Sequence, residues 1–174
     1  MGRRAHFLPV LLCLALVALA AGLAPARAVN GWREDFGALT HYSGLSCPDR
    51  IGALERFEVA GTTATMLASC TYRTDEIYVV VQIWEQNYLL RATRDYRDRF
   101  SEIGFAQVTG AGIAAKGLTF VVGRSGNLQR RETIWPISIG QRGLVLWMNY
   151  AYPTDNKAVE AAYNDMVETL RFMK

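Results

Sequence analysis

Period-two alternation dominates this chain. Between Thr65 and Tyr72, one face carries Met66, Ala68, Cys70 and Tyr72 and the other Leu67, Ser69 and Thr71, the spacing of a strand. From Ile77 to Trp84 both faces are apolar and only Gln82 breaks them. Such a strand is expected at the centre of a sheet and covered on both sides. Leu118 to Arg124 and Leu128 to Ile139 predict two more strands, joined by Ser125-Gly126-Asn127, whose glycine and asparagine tolerate the positive φ of a hairpin. After Gly140-Gln141-Arg142-Gly143 comes Leu144 to Tyr152, again apolar on both faces. Pro136 has no N–H to give a ladder, so it marks an edge or a bulge. Leu39 to Gly44 and Leu54 to Val59 predict two shorter strands.

Two segments change to helical period. Leu89, Ala92, Tyr96, Phe100 and Ile103 fall on one helix face, with Asn87 as an N-cap and Gly104 as the stop. The second helix carries Val159, Tyr163, Met166 and Leu170 behind Pro153, with Thr154 or Asp155 as cap. The expected fold is α+β: a single antiparallel sheet packed by two main helices, at about 87–103 and 155–171.

The end of the chain, Leu144-Val145-Leu146-Trp147-Met148-Asn149-Tyr150-Ala151-Tyr152-Pro153 followed by the amphipathic helix and Phe172, resembles the close of PsbP-like α+β sandwich domains. Cys47-Pro48 and Cys70-Thr71-Tyr72-Arg73 are similar to segments of small exported bacterial proteins of unknown function. The resemblance implies a sandwich fold and no particular activity.

The N-terminus changes the picture. Arg3 and Arg4 precede an apolar run from Phe7 to Leu23, and Ala26-Arg27-Ala28 places small residues at the positions a signal peptidase reads. We expect residues 1–28 to be a cleavable Sec-type signal peptide and 29–174 a single mature domain, periplasmic or secreted. The run is shorter than the roughly 20 residues of a membrane span, so no anchor is expected after cleavage. Cys13 lacks a small residue before it, and Arg3-Arg4 lies at the wrong spacing for a twin-arginine signal.

All of the net charge of +3 lies in Arg3, Arg4 and Arg27; the 16 basic residues that remain balance the 16 acidic ones. A neutral domain has no electrostatic reason to seek nucleic acid. Cys47 and Cys70 are the cysteines left after processing, and an even pair in an oxidising compartment predicts one disulfide. They form no C-x-x-C, and no cation cluster flanks them to lower a thiol pKa.

Few residues offer chemistry. Gly110-Ala111-Gly112-Ile113-Ala114-Ala115 matches a dinucleotide fingerprint in letters, but Leu118 begins a strand where the phosphate-binding helix is needed. His41 is the one histidine of the mature chain, with Ser43, Ser46, Cys47 and Asp49 nearby and no nucleophile-elbow pattern around it. One histidine and two bonded cysteines do not make a zinc site. Arg91, Arg94, Arg97 and Arg99 form the densest cationic stretch. Pairing at i,i+4 of Arg91 with Asp95, Arg94 with Asp98 and Asp95 with Arg99 makes a solvated face the first expectation. The alternative is a partner surface with Arg97 least paired. If Trp84 and Trp147 point to opposite layers, one of them lines a cleft under a helix, with Asn149 and Gln82 as its polar groups.

The functional expectation is a non-catalytic binding or accessory module of the cell envelope, without cofactor, taking an envelope protein or a small ligand. The alternatives are a small periplasmic enzyme that uses His41 and a subunit that presents the Arg91–Arg99 helix to a partner.

Overall fold

The computed structural model describes residues 31–172; the expected signal peptide lies outside the described residues. The strands are β1 (Trp32–Asp35), β2 (Ala38–His41), β3 (Ser46–Pro48), β4 (Arg50–Ile51), β5 (Leu54–Ala60), β6 (Met66–Arg73), β7 (Tyr78–Glu85), β8 (Ala106–Val108), β9 (Leu118–Ser125), β10 (Leu128–Ile139) and β11 (Arg142–Tyr152). The helices are α1 (Leu89–Glu102) and α2 (Asn156–Arg171). The α+β class is as the alternation predicts, but the single sheet is not. An eight-stranded antiparallel sheet, in order β4-β5-β6-β7-β11-β10-β9-β8, is joined by a separate three-stranded one, β1-β2-β3.

The second sheet has a physical reason. The inner face of the large sheet presents Cys70, Tyr72, Val79, Val81, Leu144, Leu146, Met148 and Tyr150, too broad an apolar surface for one helix. Helix α2 covers part of it with Val159, Ala162, Met166 and Leu170. The small sheet contributes Trp32 and Cys47 to the same core, and the loop before β3 adds Leu45. Each large aliphatic side chain withdrawn from water here is worth about 1.5–3 kcal/mol. Cys47 and Cys70 are bonded, with α-carbons 6.1 Å apart, inside the ordinary disulfide range. The bond ties β3 to β6, and the Tyr72 hydroxyl donates to Pro48 O at 3.1 Å beside it.

The outer face is only half covered. Helix α1 lies over β10 and β11, seated by Leu89, Ala92 and Tyr96 on Ile134 and Val145, while Phe100 meets Tyr96 at 4.1 Å and Phe120 at 5.4 Å. Ile103, expected on that face, is exposed at the helix end, and Gly104 follows with φ +90°. Asn87 does not cap α1: it falls in a short 3-10 turn, Gln86–Tyr88, and the cap position is Tyr88. Asp155 does precede α2, yet its carboxylate accepts from Ala151 N (2.7 Å) and braces the turn instead of the helix end. Strand β7 is central, as its apolar faces require. Its outer side (Tyr78, Val80, Gln82, Trp84) remains half-buried.

Pro136 lies at an edge. The last pair between β9 and β10 is Leu118 with Ile134, so β10 runs on past the end of its neighbour. Ile134 O faces Gly117 on that side; two residues on, the Pro136 nitrogen has the same orientation and offers no donor to a passing strand.

Candidate functional site

The sequence candidates separate into three places. His41 is 1% exposed, with its ring 5.0 Å from that of Trp32. Its Nδ1 accepts from Ser43 N at 3.2 Å and lies 2.9 Å from Ser43 Oγ. The hydrogen bonds pin the loop after β2. A general base must come within hydrogen-bond reach of its substrate, and this ring is enclosed. Around 110–115, the dinucleotide-like letters fold as a 3-10 turn, Gly112–Lys116, that leads straight into β9. Among the described residues no group of histidine, cysteine, aspartate and glutamate is placed to hold a metal.

The aromatic candidates are corrected. Trp84 and Trp147 lie on the same outer face, not opposite layers: in the β7–β11 register Trp147 meets Val80, and Trp84 lies four residues further along that strand, roughly 13 Å away. Both pack beside the Leu89–Ile134–Val145 cluster under α1, so Trp84, Trp147 and Asn149 do not enclose one pocket. Trp84 Nε1 donates to Gln82 Oε1 (3.3 Å). Trp147 and Asn149 instead converge on Glu132, which the sequence reading did not single out. The Glu132 carboxylate accepts from Trp147 Nε1 (3.0 Å), the Tyr96 hydroxyl (3.3 Å) and Asn149 Nδ2 (2.7 Å), and Arg130 Nε donates to Asn149 Oδ1. Burial pushes the Tyr96 phenol well above its usual range, and the Glu132 charge pushes it further. This seam locks α1 to the sheet. Its one sequence signal is a carboxylate sharing a strand face with Ile134 (period two).

The arginine stretch is where the structure adds most. Arg91 pairs with Asp95 at 3.6 Å as expected. The other two i,i+4 pairs do not form: Asp98 turns to its neighbour Arg97 (3.0 Å), so Arg97 is paired, and Arg94 and Arg99 are left without an ion-pair partner among the described residues. At 3.6 residues per turn, Leu90, Thr93, Arg94 and Arg97 share one flank of α1, whereas Arg91, Asp95, Arg99 and Glu102 share the other. The first flank borders an open cleft of about 430 Å³, closed on its far side by Lys116, Gly117, Leu118 and Pro136. Lys116 likewise has no ion-pair partner among the described residues. Leu90, at 77% exposed, stands at the cleft mouth. Three cations therefore surround one opening, against a single carboxylate, Asp98. No sequence spacing links Lys116 to α1; the cleft exists because the chain, after β8, enters β9 through Lys116-Gly117-Leu118 opposite the helix.

Comparison with protein-family models, with curated proteins and with solved structures gives no match. What the fold and site define is accordingly their own: a two-sheet α+β domain with an internal disulfide and a cationic cleft beside its first helix.

Proposed function

We propose that this chain is an exported, non-catalytic binding module that docks a partner protein of the cell envelope through the outer flank of α1. The observation that carries the reading is the sorting of charge around that helix. A helix built only to be solvated gains from mixing signs at i,i+4. Here Arg94 and Arg97 share a flank with Leu90 and Thr93, whereas the other flank mixes Arg91 and Arg99 with Asp95 and Glu102. An exposed leucine between arginines is the composition of a protein contact, where arginine is enriched. The enclosure of His41 and the oxidation of Cys47 and Cys70 support a role without nucleophilic or acid–base chemistry. The disulfide is compatible with export, and no described helix is long and apolar enough to cross a membrane.

The test is affinity capture from envelope fractions on the immobilised exported protein. Wild type and Arg99→Glu should retain a partner that the Arg94→Glu/Arg97→Glu double variant loses, with the melting temperature unchanged. Equal retention by all three removes this reading.

A further inference from the structure

We infer that the cleft between α1 and the start of β9 receives an acidic peptide segment, with a carboxylate held between Arg94 and Lys116 and a neighbouring apolar side chain laid against Leu90, Leu118 and Pro136. The inference rests on the docking reading above and names the chemistry of the partner at that site. Two features of the opening point the same way. Arg94 and Lys116 face it from separate elements with no ion-pair partner among the described residues, and like charges brought together repel unless an anion sits between them. Beside them, and beside Thr93 and the Asp98-paired Arg97, the lining offers an apolar wall: Leu90 is 77% exposed, Pro136 is exposed and Leu118 half-buried. A small inorganic anion would satisfy the cations and leave that wall wet. A peptide that alternates acidic and apolar residues covers both. The cleft is open at the surface, as an extended segment requires, and Gly117 keeps its far wall close to β10, where a β-carbon would meet Ile134 O and Thr133 Cγ2 at 2.7 Å.

The experiment uses fluorescence anisotropy with the purified exported protein. The probe is a short fluorescein-labelled peptide of alternating glutamate and leucine, and the comparator replaces each glutamate by glutamine. The glutamate peptide should bind at least about tenfold more tightly than the glutamine peptide, the scale of one lost charge-assisted contact. Lys116→Glu should weaken it by a similar factor, Leu90→Ser by a smaller one, and Arg99→Glu on the opposite flank by less than about twofold. Binding should also fall as salt rises. Equal binding of the two peptides, or equal losses from Lys116→Glu and Arg99→Glu, overturns the assignment. The two levels of the argument fail separately. A partner lost from the Arg94→Glu/Arg97→Glu column but retained by Lys116→Glu leaves the α1 docking surface standing and removes the cleft; no partner on the wild-type column removes the docking surface itself.

Discussion

Gly143 lies directly beneath Leu89: a β-carbon added at Gly143 would stand 2.8 Å from the Leu89 β-carbon. That contact sets how closely the start of α1 approaches β11. Gly143→Ala should cost about 1–3 kcal/mol, the usual penalty for forcing a group into a filled space. Urea denaturation measures it, and stability equal to wild type would mean that α1 is free to rise.

The Cys47–Cys70 bond closes a separation of 23 residues and connects two sheets. Replacing both cysteines by serine should remove about 3 kcal/mol on the chain-entropy account. Thermal melts with and without reductant should differ in the wild type and coincide in the double variant. Free thiols titrating in the folded, air-exposed protein would contradict the bond.

Glu132 accepts from Trp147, Tyr96 and Asn149. Glu132→Ala leaves three donors without their acceptor at a half-buried seam and should cost about 1–3 kcal/mol. Tryptophan emission should shift to the red as Trp147 takes water for a partner. An unshifted spectrum and an unchanged melt would show the seam to be dispensable.

The phenols of Tyr72, Tyr96 and Tyr150 are all pushed above their ordinary range, chiefly by burial. Below about pH 10 the folded and unfolded chains both hold these protons, so stability does not respond. Above it the unfolded chain ionises while the folded one does not, and stability falls as pH rises. The melting temperature should be level from about pH 7 to 9 and decline beyond 10. Tyr96→Phe should make that decline shallower; an identical slope would remove Tyr96 from the account.

Strands and helices were legible wherever burial imposes a period. Met66–Arg73, Tyr78–Glu85, Leu128–Ile139 and Arg142–Tyr152 lie close to their expected bounds, because each alternates against a continuous core. Pro136 at an edge followed from its missing donor. The small sheet was read only in part. Its strands are three or four residues long, too short for a period to register, and Trp32–Asp35 has a single buried residue. The seam at Glu132 and the cleft at Lys116 rest on contacts between residues tens of positions apart. The arginine pairs were misread for a local reason: spacing says which charges can meet, but Asp98 can reach only one of its two neighbours at a time, and it takes Arg97.

The place of β11 in the sheet has a consequence for how the molecule comes into being. Strands β4 to β7 form one antiparallel block and β8 to β10 another; among the described residues the only ladder that joins them runs through β11, the last of these strands in chain order. Until residues 142–152 are in place, no strand of one block pairs with a strand of the other among the described residues. Strand β11 is the keystone of the large sheet: without it the two blocks have no common ladder to close on.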